Sequence, residues 1–88
     1  MCPMEKERLA SCEISYYPIG SKNYIEEIED VVNIIKGYDL EIDVGLISTS
    51  IRGNSDLIFR LIEEIFDKMD KKANNFTISL KLSNTCGC

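Results

Sequence analysis

EIDVGLISTSIRG, residues 41–53, decides the fold of this chain. Ile42 and Val44 alternate with Glu41 and Asp43, Gly45-Leu46 can reverse the chain, and Ile47, Thr49 and Ile51 then alternate with Ser48, Ser50 and Arg52. Two runs of period two around a turn signal predict a β-hairpin. What lies on either side of that hairpin sets the topology.

Upstream, Ile25, Ile28, Val31, Val32 and Ile35 recur at three- and four-residue steps and predict an amphipathic helix. Asn23 and Glu26 have the spacing of a capping box, with Ser21 as a competing N-cap, and Gly37 is expected to end the helix in the left-handed conformation. Acidic first turns and Lys36 at the other end suit the helix dipole. Downstream, Gly53-Asn54-Ser55-Asp56 offers a turn and N-cap candidates. Ile58, Leu61, Ile62, Ile65, Phe66 and Met69 then predict a second helix reaching Lys71-Lys72.

The two outer segments alternate as strands do. From Leu9 to Tyr17, Cys12, Ile14 and Tyr16 oppose Ser11, Glu13, Ser15 and Tyr17, and Pro18-Ile19-Gly20 is expected to break the run. Near the end, Phe76, Ile78, Leu80 and Leu82 oppose Asn75, Thr77, Ser79 and Lys81. The order is β-α-β-β-α-β. In 88 residues this predicts one α+β domain, residues 1–88 with a core over about 9–84. The expected architecture is a ferredoxin-like sandwich with both helices on one face of a four-stranded antiparallel sheet.

Composition narrows the function. A net charge of −5 repels phosphate backbones and anionic lipids, so no nucleic acid is expected as partner. A nucleic-acid-binding sheet of this type displays aromatics on its third strand, where Ser48, Ser50 and Arg52 stand. No apolar run nears the roughly 18 residues of a membrane span, and MCPMEKER lacks a signal peptide's apolar segment. Leu9-Ala10-Ser11-Cys12 is similar to a lipoprotein cleavage site, but charged residues precede it in place of an apolar helix. No membrane insertion and a cytoplasmic location are therefore expected. Cys2, Cys12, Cys86 and Cys88 read as reduced thiols. With no histidine and no C-x-x-C pair, neither a metal site nor a cofactor is expected. No nucleophile stands beside an identifiable base, so the chain does not read as an enzyme.

If the helices cover Cys12, Ile14, Ile42, Val44, Ile47, Thr49, Ile51, Phe76, Ile78 and Leu80, the other sheet face shows Ser11, Glu13, Ser15, Tyr17, Glu41, Asp43, Ser48, Ser50, Arg52, Thr77, Ser79 and Lys81. Polar residues on such a face need no reason beyond solvation. Serine, however, is a mediocre strand former that fits where something approaches closely and hydrogen-bonds. The hydroxyls of Ser15, Ser48, Ser50, Thr77 and Ser79, the anions Glu13 and Asp43, and the ring of Tyr17 together suit a small aromatic cation. The alternative is an interaction module whose serine-rich face is only an oligomer interface.

ISYYPIG, ISTSIRG followed by DLIF, and ISLKLSNTCGC resemble the YkoF-type proteins that bind thiamine and its hydroxymethylpyrimidine precursor. The likeness runs roughly from Cys12 to the end and is most specific from Ile47 to Phe59. It implies a ferredoxin-like fold, non-enzymatic handling of thiamine or its pyrimidine moiety, and association with a transport system. Carried onto this chain it favours Ser48, Thr49 and Arg52, Tyr17, and the neighbourhood of Cys86. YkoF proteins carry two copies of the pattern and this sequence carries one. A homodimer or dimer of dimers joined through the open sheet faces is therefore expected. Thr49 carries a conflict, since alternation places it in the core and the resemblance places it in the site.

Overall fold

The computed structural model describes residues 9–20, 22–45, 47–72 and 75–84. Its elements are β1 (Leu9–Ile19), α1 (Tyr24–Lys36), β2 (Glu41–Val44), β3 (Thr49–Asn54), α2 (Ser55–Lys72) and β4 (Asn75–Ser83). The strands form one sheet in the order β2-β3-β1-β4, and every neighbouring pair is antiparallel. This is the ferredoxin-like α+β sandwich. Ala10, Cys12 and Ile14 of β1 and Ile51 of β3 meet Val31 and Ile35 of α1 and Ile58, Leu61, Ile65 and Met69 of α2 in one buried core. The apolar stripe of each helix and the apolar parity of the central strands thus find each other, as their periods require. No helix among the described residues is long and apolar enough to cross a membrane.

Several local expectations are corrected. β3 begins at Thr49 and not at Ile47, because Val44 pairs with Thr49 and the connection spans residues 45–48. The Gly45 N–H closes that loop on the Ser48 carbonyl at 2.9 Å. Ile47 therefore leaves the strand and is 83% exposed, and Val44 is half exposed. Pro18 does not break β1, since Pro18 and Ile19 still pair with Phe76 and Asn75. β3 no longer flanks β1 there, and a strand with one neighbour tolerates a missing N–H on its empty side.

Asn23 is the N-cap of α1, but with φ −121° and ψ 50° its side chain makes no capping hydrogen bond to the helix, so the capping box is not built. Gly37 is right-handed, with φ −76° and ψ −6°. The N–H groups of Gly37 and Tyr38 return to the carbonyls of Ile34 and Ile35 at 3.1 Å, tightening the last turn so that no left-handed residue is needed. At the start of α2, Asn54 Oδ1 accepts the Asp56 N–H at 2.8 Å and caps the helix. Leu80, assigned by alternation to the covered face, is 41% exposed because β4 is an outer strand.

Gly53 is fixed by geometry. Its φ is +153°, and a Cβ there would lie 2.6 Å from Leu40 Cδ2. Gly53→Ala should cost about 1–3 kcal/mol from strained backbone alone, read as a lower denaturation midpoint.

Polar contacts join α2 to the middle of α1 and to the residue that follows its last turn. Lys72 Nζ meets Asp30 at 2.7 Å, and Glu64 takes the Lys68 ammonium at 2.6 Å and the Tyr38 hydroxyl at 2.5 Å. Those two donors hold the Glu64 carboxyl below its ordinary value. A lowered carboxyl contributes stability above its unfolded value, near pH 4.3, and loses it as the pH falls through the folded value. Glu64→Gln should thus flatten the acid limb of the melting temperature below about pH 4.3, by no more than ~1 kcal/mol for a surface pair.

Cys12 is buried, and burial, then the charge of Glu13, raises its thiol above the ordinary range. At about pH 8 the buried thiol should resist alkylation in the folded chain and react after denaturation, as mass spectrometry of the labelled peptides would show.

Candidate functional site

β1 pairs with β3 only as far as Ile14↔Thr49, whereas its pairing with β4 runs on to Ile19↔Asn75. Ser15, Tyr16 and Tyr17 therefore pass the end of β3, and the β2–β3 loop fills only part of the space beside them. The Ser15 hydroxyl donates to the Ile47 carbonyl at 3.3 Å and ties the loop to the strand. Between loop, strand and α1 lies a cavity of about 380 Å³. Ile28, Val44 and Ile47 supply apolar wall, while Ser15, Ser48 and Thr49 supply hydroxyls and Tyr16 and Tyr17 supply rings.

Four residues picked out in the sequence thus converge here: Ser15, Tyr17, Ser48 and Thr49. The conflict over Thr49 dissolves, because it is buried at 8% exposure and still lines the cavity from its inner end. Core and site meet at that residue. Ser48 belongs to the loop and not to a strand, so alternation does not govern where it sits.

Sequence reasoning missed Tyr16 and the walls. Tyr16 stacks on Phe76, with centroids 5.3 Å apart and planes at 26°, and its hydroxyl donates to Glu27 Oε1 at 3.1 Å. Burial, then the hydrogen bond to Glu27, holds this phenol protonated far above the ordinary tyrosine value. It is a fixed donor that holds one carboxylate, Glu27, next to a residue lining the cavity. The available signal was Ile28, an apolar helix residue left 39% exposed where the sheet below it ends.

The other candidates lie elsewhere, on the open sheet face. Register aligns Asp43, Ser50, Glu13 and Lys81 in one row and Glu41, Arg52, Ser11 and Ser83 in the next. Glu13, Asp43, Ser50 and Arg52 border a shallow concavity of about 420 Å³ there. Arg52 meets Glu41 at 3.4 Å, with both side chains well exposed. The predicted site is thereby divided into an apolar, hydroxyl-lined cavity at the sheet's end and a mixed-charge surface along its face. Cys86 lies outside the described residues. Among the described residues, no three metal-ligating side chains come together.

Comparison with solved structures confirms the fold. A Thermotoga maritima protein assigned provisionally to thiamine biosynthesis or salvage superposes with a TM-score of 0.76 at 18% identity, over 85% of this chain and 82% of that one. A hypothetical protein from Methanocaldococcus jannaschii gives 0.77 at 22% identity, over 86% and 79%. A Streptococcus pneumoniae protein gives 0.79 at 20%, over 85% and 84%. Identities this low carry the fold and not the activity. No curated protein matches the chain. The sequence match is to a family and spans residues 9–88, which include every residue the structure describes, and by it the chain belongs to the YkoF-related family.

Proposed function

We propose that this protein binds thiamine or its hydroxymethylpyrimidine moiety without altering it, in the cavity at the loop end of the sheet. The carrying observation is the composition of that cavity: apolar walls from Ile28, Val44 and Ile47 around the hydroxyls of Ser15, Ser48 and Thr49, with Tyr17 at the rim. An aminopyrimidine offers both donors and acceptors, and hydroxyls serve either. The Glu27 carboxylate beyond Tyr16 and the overall charge of −5 favour a cationic ligand over an anionic one. Family membership and the provisional description of the Thermotoga maritima protein support the choice of ligand. The absence of histidine from the sequence fits binding better than proton-transfer catalysis. A module of this kind would serve cytoplasmic salvage or transport by holding the vitamin. A second copy stacked on the open sheet face belongs to the same proposal, giving a homodimer or dimer of dimers.

Calorimetric titration with thiamine, hydroxymethylpyrimidine and thiamine phosphates tests this. At roughly −0.3 kcal/mol per heavy atom, a dissociation constant at high micromolar or below is expected for a thiamine-sized ligand, and weaker binding for the smaller pyrimidine. Ser48→Val should weaken binding about three- to tenfold, the worth of one hydrogen bond, while Arg52→Gln on the open face leaves it unchanged. Absence of heat with every ligand would leave the interaction-module reading, and binding indifferent to Ser48→Val would move the site elsewhere.

A further inference from the structure

β1 enters the sheet at Leu9, and a second cavity, of about 480 Å³, opens beside that end. At about 3.3 Å per residue, Ser15 and the first cavity lie roughly 20 Å further along the strand. The walls of the second cavity are Leu9, Phe59 of α2 and Leu82 of β4, with Ser55, Ser83 and Asn84 as its polar groups. Phe59 and Leu82 are 52% and 41% exposed, and no charged side chain among the described residues lines the space. Ser55 is the anomaly. It is only 9% exposed, and its hydroxyl has no hydrogen-bond partner among the described residues. Buried hydroxyls are nearly always paired, because an unmade hydrogen bond leaves the group stripped of water with nothing in exchange. Ser55 is also the first residue of α2, whose 18 residues direct the positive end of their aligned peptide dipoles to this point. Asn54 Oδ1 takes the Asp56 N–H, but the first turn of a helix carries further N–H groups without intrahelical partners. Asp56 itself is exposed and does not line the cavity.

We propose that this cavity binds a small monocarboxylate with an apolar body. The carboxylate accepts from the Ser55 hydroxyl at the amino end of α2, and the body lies against Leu9, Phe59 and Leu82. An orphan hydroxyl alone would suit any acceptor, and the helix terminus selects an anionic one. The apolar walls select in turn against a polyanion, whose remaining oxygens would lose their water against hydrocarbon. The volume falls within the roughly 300–1,000 Å³ of small-ligand sites. A net charge of −5 opposes an anion at long range, whereas the dipole acts within the first turn, where the head group sits. The two cavities share no lining residue, so this site stands apart from the vitamin-binding reading.

Amide chemical-shift titration of the full chain with phenylpropionate and hexanoate, and with phenylpropanol and hexanol as their uncharged counterparts, tests this. Both carboxylates should give saturable shifts at Ser55, Leu57 and Phe59, with dissociation constants on the order of millimolar for molecules of about ten non-hydrogen atoms. They should bind at least tenfold tighter than the alcohols. Ser55→Ala should weaken carboxylate binding about three- to tenfold, and the melting temperature of the ligand-free variant should stay level or rise, since the hydroxyl removed has nothing to bond to. Phe59→Glu, a change in an exposed wall, should abolish carboxylate binding while circular dichroism and the thiamine titration stay as they are. Absence of saturable shifts with every probe would overturn the proposal, as would equal affinity for acid and alcohol or shifts centred on Lys68, Lys71 and Lys72. A lowered melting temperature in ligand-free Ser55→Ala would also overturn it, by showing that the hydroxyl already has a partner within the fold.

Discussion

The pairing of Ile14 with Thr49 is the contact on which the rest of the site depends, because β3 stops there and β1 does not. Beyond it β1 has one neighbour, α1 spans a gap where β3 has ended, and the hairpin loop is drawn toward β1 by the Ser15–Ile47 hydrogen bond. A β3 longer by two residues would fill the gap with backbone. The cavity is therefore a product of unequal strand lengths. The side chains that line it come from both parities of β1, since past the Ile14–Thr49 row β1 has lost its β3 neighbour and presents a free edge to the cavity.

Alternation carried most of the fold. Ile14, Ile51, Ile58, Leu61, Ile65 and Met69 are buried as their periods require, and the βαββαβ order follows from where those periods change. It failed where the chain stopped being regular. Gly45 and Leu46 looked like a whole turn, yet closure through Gly45 and Ser48 takes in Ile47 as well, which ejects an isoleucine that the pattern had placed in the core. Pro18 misled in the opposite direction, because a proline's cost to a strand depends on whether a neighbour needs its N–H. Strand ends are set by register, and register is a property of pairs that a single segment does not display.

The site was legible as a set of residue types but not as a place. Treating the open face as one surface joined Glu13, Asp43, Ser50 and Arg52 to Ser15, Tyr17 and Ser48, whereas the folded chain divides them by position along the strands. The division has chemical meaning. Charged residues in solvated rows are suited to meeting water or another protein surface, while hydroxyls beside Ile28 and Val44 are suited to a small ring that must shed water. Tyr16, bound to Glu27 and stacked on Phe76, was invisible because each contact joins two different elements, and the period within one segment does not show such contacts.

Amide chemical-shift mapping during a titration with thiamine tests the placement of the site most directly. The sheet-end site predicts saturable shifts at Ser15, Tyr17, Ser48 and Thr49, with Ser11, Glu13 and Arg52 unmoved. Shifts centred on Glu13, Ser50 and Arg52 with the loop unaffected would put the ligand on the open face and contradict it.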